Sequence, residues 1–166
     1  MNKIIFLDID GVLATTKEYG KSRHKFHAKY NEAKELNIPY SYNPGCVKIF
    51  NEIIEQTNAD IVITSDWRLN WSLSELNYIF KFNGINKLPI DVTNDNPVSL
   101  SDNTRNRASE IREYVNENKI ENYIVIDDLP LGNYLPENRF ILTKEKEGLK
   151  QTNIKEKIIK ILNSYN

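Results

Sequence analysis

Two pairs of aspartates follow apolar runs at widely separated points of the chain. Asp8 and Asp10 lie in FLDIDGVL, after a strand-like run and before a glycine that allows a sharp turn. Asp127 and Asp128 follow a second run, YIVI. Carboxylates held close together repel one another unless a cation or a proton lies between them. Convergence of the two pairs would therefore require a hard divalent ion, most simply Mg²⁺, which leaves positions for water and phosphate.

Two hydroxyl groups and one cation lie between these acidic pairs in the chain. Thr64 is the last residue of the strand-like stretch DIVIT, and Ser65 follows it. Arg107 stands where a helix is predicted to begin. A hydroxyl and backbone N–H groups can hold phosphate oxygens, and a cation can neutralise charge that would repel an attacking carboxylate. Each residue also has an ordinary alternative role, because Thr64 could merely end a strand and Arg107 could be a solvated helix residue.

Strand-like and helix-like segments alternate along the chain and predict how these residues are positioned. Apolar runs favour strands at 3–8, 60–64, 122–127 and 139–143. A weaker strand is predicted at 88–93, because Pro89 removes a donor from the ladder. Helical spacing and capping signals favour helices at 44–57, from 72 to about 82, from about 107 to 118, and at 153–163. The alternation predicts an α/β fold with a mostly parallel five-stranded sheet and helices on both faces. Ligands of such sheets bind beyond the carboxyl ends of the strands, where Asp8, Thr64 and Asp127 stand.

Two helix starts carry specific capping signals. Asn43 can cap a helix whose first position is Pro44. Ser72 and Glu75 form the capping-box pattern, in which each side chain bonds the backbone of the other residue. Cys46, in the first of these helices, is expected to be a buried core residue.

Residues 14–45 do not follow the alternation and are predicted to be an insertion within one domain that spans 1–166. Six basic residues minus three acidic ones give the insertion a net charge of +3, against −4 for the rest of the chain. Its aromatic residues could stack bases or could pack the insertion against the core. These residues are Tyr19, Phe26, Tyr30, Tyr40 and Tyr42. His24 and His27 are three apart, but no obvious third ligand accompanies them, which disfavours zinc.

The composition is that of one globular domain. The chain has 166 residues, of which 40% are hydrophobic and 27% charged, and this excludes a disordered or fibrous protein. The net charge of −1 excludes a global field suited to nucleic acid or an anionic membrane, so any such partner would bind locally. No apolar run approaches the roughly 18 residues of a membrane span. With a single cysteine and acids in its apolar start, the protein is expected to be cytoplasmic.

In this order the motifs resemble those of the haloacid dehalogenase (HAD) superfamily of phosphohydrolases. The stretch DIDGVL, Asp8–Leu13, closely matches the nucleophile loop of the family. Thr64 or Ser65 corresponds to the second motif. Arg107 corresponds to the third motif, where the family more often has lysine, and Asp127–Asp128 to the fourth. The resemblance implies a HAD-like, Rossmann-like fold in which the insertion takes the place of a small cap.

The resemblance also implies a two-step mechanism. Asp8 would attack phosphorus to form an aspartyl-phosphate, and Asp10 would protonate the leaving oxygen and then activate the hydrolytic water. Mg²⁺ would be held by Asp8, by the backbone carbonyl of Asp10 and by Asp127. Asp128 would be a ligand through water or a neighbour of the ligands.

Three shorter segments resemble phosphatase-like domains associated with nucleic-acid repair proteins. They are ITSDWR at 63–68, NRASEIREYV ahead of YIVIDD, and EGLKQTNI at 147–154. Arg68, in the first segment, could bind a second phosphate or a ribose, or could pair with an acid such as Asp66.

The leading hypothesis is a Mg²⁺-dependent phosphatase acting on a nucleotide or a nucleic-acid 3′-phosphate, with no membrane and no obligate protein partner. One alternative is a phosphatase for small metabolites such as sugar phosphates. Another is a receiver-like module that only accepts phosphate, although such modules have the phosphorylated aspartate midway along the chain and a lysine late. Here the acid pair opens the chain and Arg107 precedes the second pair, which favours the hydrolase.

Overall fold

The computed structural model describes residues 2–15, 42–94 and 103–164. Residues 16–41, which form most of the predicted insertion and include His24 and His27, lie outside the described residues. The 14–45 insertion, its aromatic residues other than Tyr42, and the single-domain organisation therefore stay predictions.

Five strands form one parallel sheet in the described part of the chain. They are β1 (Lys3–Leu7), β2 (Asp60–Ile63), β3 (Asp91–Val92), β4 (Asn122–Asp127) and β5 (Phe140–Leu142). β1 lies at the centre, and the order across the sheet is β3-β2-β1-β4-β5. Every pair of neighbouring strands is parallel, so the predicted α/β fold class is confirmed.

The four helices of the described residues correspond to the four predicted ones. They are α1 (Pro44–Thr57), α2 (Leu73–Phe82), α3 (Asn103–Glu117) and α4 (Ile154–Asn163). Asn43 caps α1, and the predicted capping box of Ser72 and Glu75 is present at α2. α3 already includes Asn103, the first described residue of its range, and so extends beyond the predicted start at about 107. Within the described ranges, no helix combines the length and apolar character needed to cross a membrane.

β3 is shorter than the strand predicted at 88–93. Only Asp91 and Val92 pair with β2, and β3 is an edge strand of the sheet. Pro89 has no N–H to donate to the ladder, which shortens the strand at its N-terminal end. Ile90 N–H still donates to Ile61 O at 2.9 Å, so the chain stays alongside β2.

The alternation of side chains along β1 decides which helix faces the acids. Leu7 belongs to the larger core cluster, together with side chains from α1, α2 and α4. Phe6 belongs to a second cluster on the opposite face, with Ala108 and Ile111 of α3. Because successive side chains of a strand point to opposite faces, Asp8 lies on the face that α3 covers.

Candidate active site

Asp8, Thr64 and Asp127 lie side by side where β1, β2 and β4 end. Asp8 N–H donates to Ile126 O at 3.0 Å, and Thr64 N–H donates to Leu7 O at 3.0 Å. Their relative exposures are 4%, 0% and 0% respectively. The tertiary structure thus brings together the three strand-end residues that the parallel sheet predicts at one edge.

The loop after β1 turns back on itself at once. Leu13 and Ala14 N–H both donate to Ile9 O at 2.9 Å, and Gly11 N–H donates to Ala14 O at 2.7 Å. Gly11 has a φ of 70°, a backbone conformation that residues with a side chain rarely adopt. A Cβ at this position would also overlap the carboxyl group of Asp128. The glycine therefore allows the loop and the residue after β4 to approach closely.

The guanidinium group of Arg107 joins the acidic ends of β1 and β4. Nη1 donates to Asp8 Oδ1 and to Asp127 Oδ2, both at 3.0 Å. Nη2 donates to Asp66 Oδ1 at 2.6 Å. Arg107 is 6% exposed, so it is not the solvated helix residue of the ordinary alternative. Its three ion pairs hold α3 against the edge of the sheet where the acids lie.

Asp128 completes an acidic cluster that one guanidinium cannot neutralise. Carboxylate oxygens of Asp8, Asp127 and Asp128 all lie within 4.8 Å of one another. Mg²⁺ takes oxygen ligands and binds through one or two carboxylates together with waters and phosphate. The donors present therefore fit the predicted ion. The carboxylate of Asp10 is outside this cluster, and a contribution from its backbone carbonyl stays a prediction.

The carboxyl groups of the acidic cluster hold protons more tightly than usual. Burial, and then the charge of Asp127, raise the pKa of Asp8 from 3.8 to about 8 despite the opposing charge of Arg107. Burial raises the pKa of Asp127, and burial with the charge of Asp127 raises the pKa of Asp128 to about 6. Burial lowers the pKa of Arg107, but the charges of Asp127 and Asp8 outweigh it and raise that pKa. A divalent cation would favour the ionised carboxylates.

Both hydroxyl groups predicted to bind phosphate lie at this site. Thr64 Oγ1 is buried and has no hydrogen-bond partner among the described residues. Ser65 is 1% exposed, and its hydrogen bond to Asp8 lowers the pKa of that carboxyl group. An unsatisfied buried hydroxyl costs roughly 1–3 kcal/mol, which favours Thr64 as the group that would bond a ligand oxygen. The role of either hydroxyl stays a prediction.

The family follows from comparison with known proteins. A family model for the HAD domain in Swiss Army Knife RNA repair proteins matches residues 4–154. The chain belongs to this family. The matched segment contains every residue predicted for the site, and the resemblance to the HAD superfamily and its nucleic-acid repair group is confirmed. No curated protein and no solved structure matches the chain.

Membership supports chemistry of the phosphatase type in general for this HAD domain, and its acidic cluster is suited to a metal ion.

Arg68 makes several contacts within the HAD domain. Its side chain is 4% exposed. Nη1 donates to Thr64 O at 2.7 Å and to Ser65 O at 2.9 Å, and Nη2 pairs with Glu110 Oε2 at 2.7 Å. Asp66, the acid suggested by the sequence, lies 3.5 Å from Nη1. These contacts hold the turn after β2, while substrate binding by Arg68 stays a prediction.

The HAD domain also contains three site contacts that the sequence did not predict. They are Arg107 with Asp66, Trp67 Nε1 with Asp10 Oδ2 at 2.8 Å, and Thr143 Oγ1 with Gly11 O at 2.9 Å. Thr143 follows β5, so the inspection of polar residues at strand ends could have found it. The sequence suggested Asp66 only as a partner of Arg68, and the only signal for Trp67 was its position two residues after Ser65.

Proposed function

We propose that this HAD domain is a Mg²⁺-dependent phosphatase that hydrolyses a nucleotide or a nucleic-acid 3′-phosphate through an aspartyl-phosphate. One observation carries the proposal: a single nitrogen of Arg107 lies 3.0 Å from both Asp8 and Asp127. At the end of the neighbouring strand β2, the buried hydroxyl of Thr64 has no hydrogen-bond partner among the described residues. A carboxyl nucleophile that a divalent cation would ionise, a fixed cation and a hydroxyl at the carboxyl ends of the strands suit a phosphoryl group better than any neutral substrate.

In the first step an Oδ atom of Asp8 forms a bond to phosphorus, and the bond from phosphorus to the leaving oxygen breaks. Asp10 donates its proton to that oxygen, so the substrate leaves as an alcohol. In the second step water attacks the aspartyl-phosphate, and Asp10 accepts the proton of the water. The acyl phosphate bond breaks, inorganic phosphate leaves, and both aspartates return to their starting forms.

Charge neutralisation is the main task of the residues around Asp8. Asp8, Asp127 and Asp128 would hold Mg²⁺, and the ion when bound would offset the charge of the phosphate and of the acids. Arg107 already contacts Asp8 and Asp127 and would stabilise negative charge on the equatorial phosphate oxygens. The hydroxyl of Thr64, with that of Ser65 as a neighbour, would bind one of those oxygens.

The nucleic-acid substrate is supported by the family and by the charge pattern. The matched family is the HAD domain found in RNA repair proteins. The predicted insertion has a net charge of +3, which would attract a phosphodiester chain toward an otherwise acidic protein.

The test is release of inorganic phosphate by purified protein from 3′-phosphorylated oligonucleotides, mononucleotides and sugar phosphates, with Mg²⁺ or with EDTA. Wild-type protein is expected to prefer the nucleotide substrates and to need Mg²⁺. Asp8→Asn should lower turnover by roughly 10³-fold or more, because it removes the nucleophile. Asp60→Asn is the matched control, since Asp60 is the first residue of β2, at the end of the strand away from the site, and pairs with Lys87 at 2.8 Å.

Each other outcome has a definite meaning. Equal turnover of sugar phosphates would favour a small-metabolite phosphatase. Stable phosphorylation of Asp8 without release of phosphate would favour a phosphoacceptor module. No dependence on Asp8 would refute the mechanism.

A further inference from the structure

Trp67 makes a direct contact with Asp10. The indole Nε1–H donates a hydrogen bond of 2.8 Å to Asp10 Oδ2, across 57 positions of the chain. Asp10 itself is exposed and lies in a turn that continues from β1. An exposed carboxylate on a loop samples several rotamers, and a bond from a ring of fixed position restricts it to one.

The indole ring of Trp67 is itself held in place by aromatic packing. The ring centroids of Tyr42 and Trp67 are 5.8 Å apart, with an interplanar angle of 54°. Tyr42 in turn packs edge-on against Phe80 of α2, with ring centroids 5.6 Å apart. Tyr42 and Phe80 are both buried, so Trp67 packs against the hydrophobic core.

The backbone that carries Trp67 is braced on both sides. Trp67 belongs to the 3₁₀ turn Asp66–Leu69 that follows β2. Asp66 pairs with Arg107 at 2.6 Å. Arg68 donates to the carbonyl of Thr64 at 2.7 Å. The residues on either side of the tryptophan, Asp66 and Arg68, thus fix the turn relative to α3 and to the strand end.

We propose that Trp67 is a positioning residue that orients Asp10 for proton transfer to the leaving oxygen. The indole N–H occupies Oδ2, so the proton in transfer is carried by Oδ1. A general acid must lie within hydrogen-bond reach of the oxygen it protonates, and the contact holds Asp10 at the mouth of the site for that purpose. This role rests on the proposed phosphatase function.

The dependence on leaving group distinguishes this role from general support of the fold. An alcohol leaving group, as in a 3′-phosphorylated oligonucleotide, needs a proton, whereas p-nitrophenolate leaves without one. Trp67→Phe keeps the ring but removes the N–H. It is expected to lower kcat about tenfold or more on the oligonucleotide, since a hydrogen bond to a charged acceptor is worth about that factor. On p-nitrophenyl phosphate the decrease should be less than about twofold.

Two companion variants separate the hydrogen bond from packing. Trp71→Phe is the matched control, because Trp71 packs against the same core cluster as Trp67. It should retain wild-type kcat on both substrates. Trp67→His retains an N–H donor and should recover part of the turnover on the oligonucleotide. Thermal unfolding of each variant checks that the fold is kept.

A double-mutant cycle tests whether Trp67 acts through Asp10. In an Asp10→Asn background, Trp67→Phe should have no further effect on the oligonucleotide, because the group that it positions is already lost. Equal loss on both substrates, or a full effect of Trp67→Phe in that background, would overturn the role. Wild-type protein without turnover refutes the proposed function and the role with it. Wild-type turnover that Trp67→Phe leaves unchanged refutes the role alone.

Discussion

Metal-free protein is expected to lose stability as the pH rises from about 5 to about 8. The cause is the raised pKa of Asp8, which burial and the charge of Asp127 move from 3.8 to about 8. Between these values the folded chain holds a proton that the unfolded chain has released. A group whose pKa is raised on folding stabilises the folded state below its unfolded pKa, and this contribution is lost as the pH rises through the folded value.

The magnitude follows from the width of this pH window. One extra proton on the folded state changes the free energy of unfolding by about 1.4 kcal/mol per pH unit. Asp8 alone should therefore lower the stability of the metal-free protein by roughly 3 kcal/mol between pH 5 and pH 7. Asp127 acts in the same direction, while Asp128 is partly solvated and adds less, mainly below pH 6 or so.

The assay is urea unfolding in EDTA at several pH values, for wild-type protein and for Asp8→Asn. The asparagine cannot ionise, so the difference between the two proteins reports the ionisation of Asp8 together with its effect on the neighbouring Asp127. The variant should gain about 3 kcal/mol relative to wild type between pH 5 and pH 7. Asp60→Asn, which alters a partly exposed ion pair, should show no comparable slope.

Mg²⁺ should reverse the trend, because it binds the ionised carboxylates and stabilises the folded state by mass action. Its stabilising effect on wild-type protein should grow with pH and should be much smaller in Asp8→Asn. A difference between wild type and variant that does not change with pH, or a wild type that gains stability relative to the variant as the pH rises, would refute the raised pKa of Asp8. Either result would mean that Arg107 outweighs burial and keeps Asp8 ionised.

Two further substitutions probe the contacts that assemble the site. Arg107→Met leaves Asp8 and Asp127 without their buried partner and should lower the free energy of unfolding near neutral pH by roughly 3 kcal/mol in urea, with Arg107→Lys recovering part of it. Wild-type stability of the methionine variant would contradict this. Gly11→Ala forces a Cβ into the carboxyl group of Asp128 at a φ of 70°, and should weaken Mg²⁺ binding about tenfold or more by calorimetry. Unchanged affinity would show that the loop yields without moving Asp128.

Much of the architecture could be predicted because its causes are local. Asn43 and Pro44 define the start of α1, and Ser72 with Glu75 defines the start of α2. The shortness of β3 is also local in origin, since Pro89 removes a ladder donor from the run at 88–93. Capping and strand-forming preferences act over a few residues, so a pattern in the chain is enough to find them.

The candidate site was predictable only in part. Asp8, Thr64 and Asp127 could be grouped because parallel strands end at one edge, a rule that needs no knowledge of strand order. The bridge from Arg107 to two strands is different, because the sequence allowed an exposed arginine equally well. The partners of Arg68 are different too, since Glu110 lies 42 positions away.

The amino-acid sequence by itself determined the alternating elements, the family resemblance, and the set of polar groups at the carboxyl edge of the sheet. Only the tertiary structure decided that α3 covers the acidic face, that Gly11 admits Asp128, and that the indole of Trp67 bonds Asp10. The physical reason is the distance along the chain over which each kind of interaction acts. Helix caps and strand runs depend on neighbours along the chain, whereas these contacts depend on how packed elements place atoms that are tens of residues apart.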